Sequence, residues 1–120
     1  MWDFEGGRAP QSSFFRAFTE VVPGADDEVG RPGARRGQLA GLLREAGCRD
    51  IDETELEVTV VSPTFDDWWE PYTKGVGPAG AQLAALEPDA RAQIRERCHE
   101  LLGDGPITTT ATAWAARGIN

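Results

Sequence analysis

Phe65, Trp68, Trp69 and Tyr72 recur at i, i+3, i+4 and i+7, the spacing that puts four large rings on one stripe of a helix. Such a stripe can serve a core. It can equally wall an apolar substrate pocket, where flat, rigid rings supply contact area at low entropic cost. Trp2, Phe4, Phe14 and Phe15 are the residues that could furnish a facing wall. Other chemistry-bearing residues are sparse. His99 is the only histidine; on a helix it stands beside Cys98 among Arg95, Arg97 and Glu100, and reads as a solvated helix residue rather than a general base. No Ser, Cys or Asp has a visible partner that would activate it as a nucleophile. Cys98 reads as a small core residue and Cys48 as a packing residue after a helix. Two cysteines and one histidine make neither a disulfide framework nor a usual zinc site. The acidic run Asp26-Asp27-Glu28 reads as a solvated loop, so no metal is expected. Gly75-Val76-Gly77-Pro78-Ala79-Gly80 matches G-x-G-x-x-G. That fingerprint needs a strand before it and backbone donors facing a pyrophosphate; here an aromatic helix precedes it and Pro78 removes a donor, so a plain loop is expected.

These residues need elements to position them. Ser12 or Ser13 can cap a helix reaching about Val22, with Phe14, Phe18 and Val22 on one stripe and Pro23-Gly24 as its stop. Residues 23–37 hold no apolar periodicity and read as a loop within one domain. A second helix over about 36–46 carries Leu39, Leu42, Leu43 and Ala46, with Gly47 as its left-handed cap. In residues 55–61, Leu56, Val58 and Val60 share one face and Glu55, Glu57 and Thr59 the other, an edge strand with the apolar face buried. Pro63-Thr64 opens the aromatic helix, with Thr64 and Asp67 spaced as a capping box. A short helical turn over about 78–86 precedes a fourth helix over 88–102, started by Pro88 and ended by Gly103. Residues 107–116 carry no charge and are β-branched in their first half, which reads as a central strand covered on both sides. Residues 1–5 read as the end of a further strand.

The 120 residues amount to a single domain over 1–120. A formal charge of −8 argues against a nucleic-acid backbone, which needs clustered Lys and Arg, and against an anionic membrane surface. The longest uncharged stretch, 105–116, is shorter than the ~18 residues of a membrane span. The opening MWDFEGGRAP has acids where a signal peptide would carry basic residues. A cytoplasmic protein with reduced thiols is expected.

WDFEGG near the start, a helix ending REAGCRDI, the edge strand, then FDDWWEPYTKGVGPAG, RERCHELL and TATAWAARG together resemble the C-terminal half of class I S-adenosylmethionine-dependent methyltransferases. The resemblance is strongest to the small-molecule enzymes with the type 11 domain and covers residues 2–118. It implies an α/β fold, the second half of a Rossmann-like methyltransferase, with a small three-stranded mixed sheet and about four helices. WDFEGG would end the fifth strand, residues 53–61 would form the sixth, and 107–116 the seventh, antiparallel and inserted between the other two. It also implies a small-molecule substrate, with Asp3 and Phe4 near the mouth of the site and Phe15, Trp69 and Tyr72 as substrate contacts. The family's acidic-x-Gly-x-Gly-x-Gly turn and the acid that holds the cofactor ribose are not in this sequence. The cofactor S-adenosylmethionine is therefore implied by the family only and is not expected to bind this chain alone. The expected working form is a truncated or split enzyme that needs a complementing cofactor-binding half, or a homodimer. A non-enzymatic interaction module and a stand-alone binder of an apolar ligand are the alternatives.

Overall fold

The computed structural model describes residues 1–120. It is an α/β chain with the order α1 (Ser12–Val21), α2 (Gln38–Glu45), β1 (Arg49–Ser62), α3 (Phe65–Trp69), a 3-10 segment (Glu70–Lys74), α4 (Gly77–Ala84), α5 (Pro88–Leu102) and β2 (Ile107–Ile119). No helix is long and apolar enough to cross a membrane. The chain divides into two compact units. One comprises Met1–Pro10, Glu28–Thr59 and Thr110–Asn120; the other comprises Gln11–Asp27 and Val60–Thr109.

The first unit is organised around β2. β1 pairs with it antiparallel to form a two-stranded sheet. On the other side of β2, Trp2 forms a single antiparallel bridge with Ala113, extended by amide bonds from Asp3 to the Thr112 carbonyl and from Trp114 to the Met1 carbonyl. The sheet is thus two strands and a bridge, in place of the three mixed strands expected. The ladder at residues 1–3 stops because the chain turns at once: the Phe4 amide bonds to the Trp2 carbonyl, and the Gly6 amide to the Asp3 carboxylate at 3.1 Å. A Cβ at Gly6 would fall on that carboxylate.

β1 corrects a second expectation. Leu56 and Val58, assigned to a buried face, are 56% and 48% exposed, and Val60, further along the same strand, is exposed too. The other face makes the contacts, through its carboxylates. Glu53 accepts from the amides of Gly37 and Ala40 at the start of α2 (2.8 and 3.4 Å), where free N–H groups favour an anion. Glu55 pairs with Arg8 at 3.1 Å and Arg36 at 3.2 Å. The carboxylate face of β1, not its apolar face, meets α2 and the two arginines.

These contacts converge on Asp3, which is 2% exposed. Its carboxylate receives Arg8 Nε at 2.6 Å, Trp114 Nε1 at 3.1 Å and the Gly6 amide. The Trp114 ring also lies 5.3 Å from the Arg8 guanidinium carbon and 4.8 Å from that of Arg36, within cation–π range. Burial alone would raise the Asp3 pKa; the hydrogen bonds from Arg8, Trp114 and Gly6 outweigh it and hold the carboxyl below its ordinary value. A depressed folded pKa contributes stability above the unfolded value of about 4, lost as pH falls through the folded one. Asp3→Asn should cost about 1–3 kcal/mol at neutral pH. The gap from wild type should close in urea unfolding curves taken at progressively lower pH below about 4. A gap independent of pH would show that the charge contributes nothing.

The second unit packs α1 against α5. Phe14 and Phe18 of α1 and Ile94 and Cys98 of α5 are its most deeply buried side chains, and Arg97 bonds Glu20 at 2.5 Å beside them. α4 lies on the 3-10 segment.

Candidate functional site

The aromatic stripe begins on a capped helix. Thr64 Oγ1 accepts the Asp67 amide at 3.2 Å, and Asp66 and Asp67 occupy the first turn of α3. The stripe is not one helix, however. α3 ends at Trp69, and Tyr72 belongs to the 3-10 segment. Pro71 explains the change, since it has no N–H to give and its ring obstructs the carbonyl four residues back. Tightening to 3-10 geometry moves Tyr72 off the α-helical path. Its ring stacks on Phe14, centroids 4.2 Å apart and planes 7° apart.

Trp69 and Tyr72, centroids 6.3 Å apart, wall a cleft of about 310 Å³. Thr73 of the 3-10 segment, Leu83 and Ala84 of α4, and Arg91, Ala92 and Arg95 of α5 complete it. All eight residues belong to the second unit. α4 reaches the cleft because the glycine segment is a tight turn. Gly75 and Gly77 are left-handed, with φ of 71° and 69°, and a Cβ at Gly80 would lie 3.0 Å from the Gly75 carbonyl carbon. The space a phosphate would need beside Gly80 is filled by the chain's own backbone. A 3-10 segment, not a strand, precedes the turn. These residues do not fit a nucleotide or S-adenosylmethionine cradle.

Two titratable groups near the cleft are locked neutral. Burial pushes the Tyr72 phenol above its ordinary value, and Cys98 adds to the effect. Burial pushes the Cys98 thiol up to about 12. Tyr72 is thus a hydrogen-bonding group and not a base, and Cys98 is not a nucleophile. His99, half-exposed, meets Asp104 at 2.5 Å with its ring 4.9 Å from Phe65. Sequence reasoning overlooked Asp104, which the end of α5 brings back to it.

Among the residues assigned to substrate, Trp69 and Tyr72 come together in the cleft. Phe15 sits behind it, edge-on to Phe14 at 5.5 Å, and does not line it. Asp3 and Phe4 belong to the first unit and are buried there, with the Asp3 carboxylate taken by three donors. Sequence reasoning missed Arg91 and Arg95 as lining groups. Their i, i+4 spacing was a signal, but which face of α5 meets the 3-10 segment is decided by packing. No protein-family model, curated protein or solved structure matches this chain.

Trp69 is 8% exposed and also touches the core through Phe14 and Phe65. Trp69→Ala should therefore lower unfolding free energy by about 3–5 kcal/mol; an unchanged urea midpoint would show that the ring only faces the cleft. A thiol reagent should label the half-buried Cys48 in native protein and reach Cys98 only on unfolding. Two fast thiols would contradict the burial of Cys98.

Proposed function

We propose that this chain is the substrate-side half of an S-adenosylmethionine-dependent small-molecule methyltransferase of the cytoplasm, and that the Trp69–Tyr72 cleft receives the apolar body of its substrate. The observation that carries the reading is β2. It is antiparallel, flanked by β1 on one side and bridged to Trp2 on the other, the strand order implied by the sequence resemblance. The chain's own contribution is to bind and orient the substrate, since methyl transfer by in-line displacement depends mainly on positioning. Bound cofactor would supply the methyl group. Because the Gly75 backbone closes on Gly80 in the first turn of α4, the cofactor falls to a complementing half.

A second reading, a stand-alone binder of a small apolar ligand, is favoured by one fact: every residue lining the cleft comes from the second unit.

The experiment is calorimetry with S-adenosylmethionine, first on this chain and then on this chain co-expressed with an acidic-Gly-x-Gly-x-Gly segment encoded beside it. No heat from the chain alone and micromolar binding by the complex are expected. Binding by the chain alone would overturn the division of labour. A failure of the two to associate would leave the stand-alone binder.

A further inference from the structure

The cleft carries a sign of charge that its apolar walls do not require. Its lining residues include two guanidinium groups and no carboxylate, in a protein whose formal charge is −8. Arg91 and Arg95 stand one turn apart on α5, and both line the cleft. Both are held in place by the protein. Arg91 Nη1 donates to the carbonyls of Leu86 at 2.9 Å and Ala84 at 3.5 Å. Arg95 Nη2 donates to Asp66 at 2.6 Å, and its guanidinium carbon lies 5.1 Å from the Phe65 ring centre. Asp66 is itself 78% exposed and lies outside the lining; such an exposed pair is weak, so a ligand anion can compete for Arg95. Each guanidinium has five N–H donors; these bonds occupy one nitrogen of each and leave the other two for a ligand. Two pre-positioned guanidinium groups beside two aromatic faces match a ligand with an apolar ring at one end and an anion at the other.

We propose that the cleft selects a planar aromatic acid, its ring against Trp69 and Tyr72 and its carboxylate on Arg91 and Arg95. This names the substrate class of the cleft and so rests on the cleft being a small-molecule site. The volume of about 310 Å³ lies at the small end of ligand pockets and suits one ring system of one or two fused rings.

The test is a calorimetric titration of the full chain with naphthoate and with its neutral isostere naphthamide. Naphthoate is expected to bind about tenfold more tightly or better, with the advantage shrinking as salt is raised. Arg95→Gln should remove most of that advantage, weakening naphthoate binding several-fold more than naphthamide binding. Arg91→Lys should retain more of it than Arg91→Gln, and thermal melts of each variant confirm folding. Tyr72→Leu should weaken both probes. Equal affinity for the two probes would overturn anion selection and leave the cleft standing as an apolar site. Binding of neither would overturn the cleft as a small-molecule site and this proposal with it. Naphthoate binding unaffected by the Tyr72 and arginine variants would show binding elsewhere and overturn the proposal as well.

Discussion

Phe14 stacked on Tyr72 is the contact on which the second unit turns. A fully buried ring of α1 lies nearly parallel to a half-buried ring of the 3-10 segment, so the helix that packs on α5 also fixes where the cleft wall stands. The stack exists because Pro71 prevents α3 from continuing. An uninterrupted helix would carry Tyr72 on the same track as Trp68 and Trp69; the tighter turn delivers it to Phe14 instead. Phe65, Trp68 and Trp69 then fill the space between, each ring within 6.3 Å of another. Trp69 and Tyr72 line the cleft and also contact the core ring of Phe14, so each is at once structural and a wall of the cleft.

The first unit reaches order by a different route. A buried carboxylate, Asp3, is tolerable only when its hydrogen-bonding capacity is filled, and three donors from Gly6, Arg8 and Trp114 fill it. Arg8 carries the network outward to Glu55, and Glu55 onward to Arg36. The guanidinium groups on the Trp114 ring add contact to charge pairing. The outer pairs are exposed and individually weak; Asp3 makes them a unit by anchoring one end in the interior.

Chemically, the second unit is built from aromatic faces and arginines around the cleft. Tyr72 and Cys98 are held neutral by burial, and no group of three His, Cys, Asp or Glu side chains gathers to hold a metal ion. Aromatic faces and fixed guanidinium groups are recognition elements.

Much of this was local and so readable in the residues. The Thr64 cap, Pro88 opening α5 and Gly103 closing it follow from short-range sterics and hydrogen bonding. The same holds for the aromatic spacing that marked Trp69 and Tyr72. By contrast, Gln11, not Ser12 or Ser13, holds the N-cap position of α1, and the last strand runs past 116 through Arg117 to Ile119. What sequence could not decide was which faces meet. Alternation in β1 pointed Leu56 and Val58 inward, yet the carboxylates opposite found α2 amides and two arginines, partners distant along the chain. Arg91 and Arg95 stand at i, i+4 on α5, but only the packing of that helix brings them to the cleft. Asp3 looked like a residue at a site mouth until Trp114, 111 positions away, was found bonded to it. Periodicity reports the two faces of an element, but the identity of what covers each face depends on contacts between segments far apart in the chain. Those contacts exist only once the backbone has closed on itself.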